Sequence, residues 1–202
     1  MGLAPAVRRL ALALGLALSL SACGINSVPT AEENAKAKWA DVEAQFQRRA
    51  NLIPNLAEVT QGAAANERAI LTEVTEARAR ATSVNVTAND LGNAEKMAEF
   101  QAAQAQLGAG IGRLLASFEA YPQIQSNQNF LALQSQLEGT ENRIAVAIRD
   151  YNEAVRQYNT TIRTFPDIIG AKVIHGAEPL VPYEAVTEGA ETAPQLDMTP
   201  NG

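Results

Sequence analysis

The residues that most often carry chemistry are nearly missing. The chain of 202 residues has one Cys, Cys23, and one His, His175. A lone Cys excludes an intramolecular disulfide and a Cys-rich metal site. A lone His leaves no His-rich metal centre and argues against a Ser-His-Asp triad. Aromatic residues are 5% of the chain, so the core is expected to rest mainly on Leu, Ile, Val and Ala. Positive charge is also short. Sixteen Lys and Arg face twenty-two Asp and Glu, for a net charge of −6, and that balance argues against a nucleic-acid binder because little is left to neutralise phosphates. What remains is an ordinary globular mixture, 47% hydrophobic and 19% charged, of a length for one domain or two small ones.

The N-terminus reads as an address. Arg8 and Arg9 precede a charge-free run of thirteen residues, Leu10 to Ala22. A spanning helix needs ~20 apolar residues; a run this short fits the h-region of a signal peptide. It ends in Leu20-Ser21-Ala22-Cys23, where small residues suit a peptidase cleft and the Cys stands at the acylated position of a bacterial lipobox. The segment therefore resembles a lipoprotein signal; a plain secretory signal is the alternative. Removal of residues 1–22 takes away Arg8 and Arg9 and no acid, deepening the charge from −6 to −8. Two or three acyl chains on Cys23, palmitate among them, suffice for stable anchoring at ~0.8 kcal/mol per buried CH₂. Gly24 in place of Asp favours the outer over the inner membrane. Residues 23–30 follow as a tether, reaching at most ~25 Å.

Helical patterning fills residues 31–165. Thr30 and Glu33 have capping-box spacing, which predicts a first helix from Ala31 to Asn51. Pro54 suits a first turn better than a helix interior, so a break is expected near Asn51, with a continuous kinked helix as the alternative. Ile53, Leu56, Ala63, Ile70, Val74, Ala77 and Ala81 mark a second helix, weakened at Gly62 by ~1 kcal/mol. A third runs from Asn89 or Asn93 to Tyr121 and stops before Pro122; Gly108, Gly110 and Gly112 inside it signal either softness or close packing. The fourth is the clearest. Phe130, Leu133, Leu137, Thr140, Ile144, Ile148, Tyr151, Val155, Tyr158, Ile162 and Phe165 form a seam of 3 and 4 spacings, capped by Ser126 or Asn127 and ended by Pro166. Ile144, Ile148 and Val155 are expected to be buried, with Tyr151 turned inward. The predicted fold is all-α: an antiparallel up-down four-helix bundle with coiled-coil-like packing.

Beyond residue 165 the composition changes. Pro166, Pro179, Pro182, Pro194 and Pro200 with Gly170, Gly176, Gly189 and Gly202 predict an irregular, partly disordered tail over 166–202 that holds no helix. Ile168, Ile169, Val173, Ile174, Leu180 and Val181 offer it apolar contacts with the bundle.

Six strings resemble the LemA family, in order along the chain. They are WADVEAQFQRRANLIPNL at 39–56, TEARA at 75–79, GRLLASFEAYP at 112–122, NFLALQSQLEGTENRIAVA at 129–147, YNEAVRQYNTTIRTFP at 151–166 and PYEAVTEGAETAPQLD at 182–197. The resemblance implies an envelope-anchored helical bundle with no assigned reaction. Two departures stand out. A lipobox replaces the family's single N-terminal transmembrane helix, and Ala171-Lys172-Val173-Ile174-His175 replaces an LFGF-like stretch.

The polar constellations each have a functional and a bland reading. His175, the one His of the chain, falls in a Gly- and Pro-rich tail outside the predicted bundle, which argues against a nucleophile–base pair built on it. No His lies in the bundle, so Glu-x-x-His di-iron pairs are absent. Glu73 with Glu76, or Glu138 with Glu141, share a helix face, but two acids are too few for a hard cation. Arg48, Arg49 and Asn55 form a candidate partner-binding patch. The alternative has Asn51 capping the second helix and the arginines pairing with Glu119 or Glu141. Tyr151-Asn152 and Tyr158-Asn159 repeat at heptad spacing, with the asparagines read as fixing bundle register or lining a ligand groove. The function expected is a non-catalytic scaffold in the bacterial envelope, facing the periplasm, with no cofactor or metal, lipid at Cys23 and an unidentified envelope protein as partner. A peptide or small-ligand binder with a groove between helices is the alternative.

Overall fold

The computed structural model describes residues 3–60 and 67–184, and among them every regular element is helical. Helix α1 spans Leu3–Thr60, α2 Arg68–Ser83, α3 Ala94–Ser117, α4 Pro122–Gln125, α5 Gln128–Thr161 and α6 Asp167–Gly170. The all-α expectation holds. Expectations for Gly62, Ala63 and residues 185–202 lie outside the described residues.

The predicted break at Asn51 is absent: α1 runs through Pro54. Proline has no N–H to give the carbonyl four residues back, here that of Ala50. That carbonyl is served from another helix, by Arg78 Nε of α2 at 2.7 Å. Ala50 is buried, so an unpaired oxygen there would cost about 1–3 kcal/mol. Asn51 is therefore inside the helix, where its Oδ1 accepts from Gln47 Nε2 at 2.9 Å.

The start of α1 also differs. Thr30 does not cap; its hydroxyl donates to the Asn26 carbonyl at 2.6 Å, one turn back. The stretch 24–30, read as a tether, is helical, and Val28 is fully buried against Tyr158, Ile162 and Ala171. This apolar seat keeps the helix going where composition suggested a linker.

Two other starts follow their caps. Asn93 accepts from the Lys96 amide at 3.1 Å and opens α3. Asn127 accepts from the amides of Asn129 and Phe130, at 2.9 and 3.4 Å, and opens α5. Helix α3 gives way to a tight turn at Phe118–Ala120, and Pro122 begins the short α4. Of the alternating glycines, a Cβ on Gly110 would stand 3.2 Å from Val74 Cγ2 of α2, and one on Gly108 would stand 3.4 Å from Arg49 Nη1. These two mark close packing rather than softness; Gly112 faces open space.

The core has three tiers. At one end Leu52, Ile53 and Leu56 of α1 meet Val74 and Ala77 of α2, Leu107, Ile111 and Leu114 of α3, and Phe130, Leu133 and Leu137 of α5. The middle tier joins Trp39, Val42 and Phe46 to Met97, Phe100, Ile144, Tyr151 and Val155. The scarce aromatics are pooled: Trp39 lies 5.4 Å from Phe100 and 5.1 Å from Tyr151, and Phe46 lies 5.4 Å from Phe100. The third tier is the Val28 seat. On the α5 seam Ile144, Tyr151 and Val155 are buried as expected, but Ala147 takes the deep position and Ile148 is only half-buried. Phe165, expected on the seam, is exposed, because α5 ends at Thr161.

Helix α2 has 16 residues against 34 in α5. Something else must cover the middle tier. Part of the cover is the 84–93 connection, whose Val86 and Leu91 are buried and whose Val86 carbonyl accepts from Trp39 Nε1 at 2.7 Å. The rest is the tail. Contrary to the expectation of no helix, it forms α6 and a wide π-type turn at Ala171–His175. Gly176 then takes a left-handed φ of 56°, and the chain turns back along α5.

Candidate functional site

The returning segment, residues 179–184, is extended and held by amide side chains. Asn159 Nδ2 donates to the Leu180 carbonyl at 2.8 Å, and the Leu180 amide donates to Asn159 Oδ1 at 2.9 Å. Seven residues earlier on α5, Asn152 repeats the exchange with Tyr183, both bonds at 2.8 Å. Gln101 of α3, with its amide turned to satisfy both atoms, pairs with Glu184 at 3.2 and 3.0 Å. Tyr151 Oη donates to the Val181 carbonyl at 2.8 Å, and the Val181 amide donates to the Leu91 carbonyl at 2.9 Å. The main chain at 180, 181, 183 and 184 is thus paired as it would be in a sheet, by side chains standing on helices except at the Val181 amide, which meets the Leu91 carbonyl. Apolar groups complete the seat: Tyr183 stacks on Phe46 at 5.9 Å, and Leu180 and Val181 pack on the middle tier.

The heptad asparagines therefore clamp the tail rather than fix register between helices. Their heptad spacing put the two asparagines on one face of α5, but nothing local marked residues 180–184 as the partner. Burial pushes the Tyr183 phenol up to about 12 and raises the Tyr151 phenol.

An open groove of about 480 Å³ lies beside the clamped segment, lined by Asn152, Val155, Arg156, Asn159, Arg163 and Pro182 among others. Arg156 is held by Glu153, whose carboxyl is lowered by that hydrogen bond. A smaller recess of about 190 Å³ includes Glu43, Phe46, Thr82, Asn85 and Phe100. Burial raises the Glu43 carboxyl there.

The candidate patch divides. Arg48 and Asn55 are exposed. Arg49 is buried: its guanidinium donates to Glu141 Oε1 at 3.1 Å and, through Nη2, to the Gln104 carbonyl at 2.9 Å and Gln104 Oε1 at 2.8 Å. Its Cζ also stands 4.9 Å from the Phe46 ring centroid. Arg49 ties α1 to α3 and α5 and is not offered to a partner. Of the other acids, Glu73 pairs with Arg113 and Glu138 accepts from Gln134. Among the described residues no three of His, Cys, Asp and Glu gather as a metal site, and no helix is long and apolar enough to cross a membrane. His175 lies in the π-type turn, at the surface.

The model of the LemA family matches residues 38–198. The chain belongs to the LemA family. The LemA match runs from beside Trp39 to beyond the clamped segment, or strap, so the strap and the bundle from residue 38 onward fall within the matched residues. Among curated relatives, magnetosome proteins MamQ 1 and MamQ 2 of Paramagnetospirillum magneticum are each 30% identical over 158 residues, covering 70% of this chain and 58% of theirs. Magnetosome protein MamQ of Magnetospirillum gryphiswaldense is 29% identical over 157 residues, with the same coverage. The chain thus spans under two thirds of the length of these relatives.

Proposed function

We propose that this LemA-family chain is a lipid-anchored protein of the bacterial envelope and a non-catalytic scaffold. Its four long helices would form an up-down antiparallel bundle. Three pairings support that arrangement: Arg78 with Ala50, Arg113 with Glu73, and Arg49 with Glu141. Residues 1–22 are the signal, Cys23 carries the acyl chains, and the body faces the periplasm. Gly24 favours the outer membrane.

The observation that carries this reading is the continuity of α1. One helix leads from the Cys23 position into the core, with Val28 fully buried five residues on. Lipid on Cys23 would then fix the body's orientation as well as its distance from the bilayer. Confinement to two dimensions raises the effective concentration of membrane-bound partners. Buried Arg49 is spent on Glu141 and Gln104, and half-buried Asn152 and Asn159 on the strap, so these polar groups serve the fold itself. Arg48 and Asn55 remain as exposed polar contacts for an envelope protein.

The experiment compares capture from native membranes by the wild type and Cys23→Ser. The scaffold reading expects a defined envelope protein with the wild type, its recovery lost with Cys23→Ser and reduced by Arg48→Ala/Asn55→Ala. Equal recovery by wild type and Cys23→Ser would overturn it.

A second reading is favoured by one observation. Asn152 and Asn159 contact main-chain atoms only, so the clamp would accept an extended peptide of another sequence. A synthetic peptide of residues 177–186 competing for the site, and releasing the strap to protease, would support it.

A further inference from the structure

The clamp covers the middle of the molecule; the end where α1 enters carries a different surface. There α6 and the π-type turn pack on α1 through Ala171 and Val28, and Ser27 Oγ donates to Asp167 Oδ1 at 2.6 Å. On the outside of this knot four large apolar side chains stand in solvent. Phe165 is 74% exposed, Ile169 56%, Val173 79% and Ile174 57%. Elsewhere among the described residues the exposed large apolar side chains are Val7, Leu131 and Val146, each far from the next in sequence. Four within ten residues make a patch, and such patches mark contact with a partner or a membrane.

Position and charge select the occupant. The patch is level with Val28, and Cys23 lies about 8 Å further along the same helix at 1.5 Å per residue. The chain is acidic overall, at −6. Here the balance reverses: Arg163 precedes the patch, Lys172 lies within it, and the one acid between these two, Asp167, accepts from Ser27. Apolar tips with basic neighbours suit the headgroup–acyl boundary, where such groups sink ~5–10 Å, and the cations suit anionic headgroups.

We propose that Phe165, Ile169, Val173 and Ile174 form a membrane-docking face, inserting into a phospholipid surface while Arg163 and Lys172 meet its anionic headgroups. The inference rests on the anchored reading above and adds to it a second, non-covalent contact with the bilayer. The two contacts together would hold the bundle upright.

The full chain, purified from membranes in detergent, is reconstituted into phosphatidylethanolamine–phosphatidylglycerol vesicles, with and without bromines near the top of the acyl chains. Val173→Trp and Leu131→Trp each add one indole. Trp39 is fully buried and about 16 Å beyond Val28 along α1, so it serves as an unquenched reference. The emission added at 173 is expected to fall roughly twofold in brominated vesicles, as contact at this depth requires, and the emission added at 131 to stay unchanged. Equal quenching at the two positions in floating vesicles overturns the docking face. A chain-to-chain disulfide in Val173→Cys, with no quenching in Val173→Trp, would overturn it by assigning the face to a second copy. Failure of the wild type to float with the vesicles would overturn the anchored reading and this inference with it.

Discussion

Asn152 on α5 exchanges two hydrogen bonds with the main chain of Tyr183, Nδ2 to O and N to Oδ1, both at 2.8 Å. An asparagine amide matches a peptide group atom for atom, so a helix can present one rung of a sheet ladder. Asn159 presents the next rung to Leu180, with its own pair of bonds at 2.8 and 2.9 Å. Between the rungs Tyr151 Oη reaches Val181 at 2.8 Å.

Asn152→Asp keeps the shape and removes the donor. The Tyr183 carbonyl would then face a carboxylate. The expected cost is about 1–3 kcal/mol, localised on the strap. Hydrogen exchange should show faster loss of the Leu180, Val181 and Tyr183 amides, with α1 and α5 little changed. An unaltered exchange pattern would contradict the clamp.

Pro54 and Arg78 should be coupled. Arg78→Met leaves the Ala50 carbonyl unpaired and should lower stability by about 1–2 kcal/mol. With Pro54→Ala the helix regains its own donor to that carbonyl, so Arg78→Met should then cost clearly less. Denaturant melts of the four proteins give the interaction energy directly; strict additivity would mean the carbonyl has no such dependence.

Arg49 is structural, and its neighbour Arg48 is not. Arg49→Ala should destabilise by about 3 kcal/mol or more, because it opens a buried network and strands Gln104. Arg49→Lys should rescue little, since one ammonium cannot reproduce a fork that bonds two helices. Arg48→Ala should stay within about 0.5 kcal/mol of wild type. Thermal melts of the three variants check this.

Alkaline pH should unfasten the strap. The Tyr183 phenol is pushed up to about 12 by burial, and burial also raises Tyr151 and Tyr158. Unfolded tyrosine ionises near pH 10. Between about pH 10 and 12 the unfolded chain therefore holds fewer protons than the folded one, and stability falls as pH rises. Below pH 10 these groups contribute no slope. Phenolate absorbance should appear together with unfolding rather than ahead of it at these three residues.

The α5 seam was legible because its 3 and 4 spacings and Asn127 cap agree with burial. The break at Pro54 was misread because the group that repairs it, Arg78 Nε, comes from another helix. Local rules describe what proline removes and not what a distant side chain restores. Arg49 was legible as an ion-pair partner of Glu141, yet its depth depends on the room left by Gly108. The tail was hardest. Its prolines and glycines exclude long helices but do not forbid a short turn or an extended strap, and the strap is defined by Asn152, Asn159 and Gln101, far off in sequence.

The anchored account depends most directly on the N-terminus of the protein in its membrane. Intact-mass and peptide mass spectrometry of the chain extracted from cell membranes measure it. The account predicts cleavage between Ala22 and Cys23 and an N-terminal peptide that begins at Cys23 and carries acyl chains. A chain that keeps Met1, or begins at Cys23 without lipid, would contradict it.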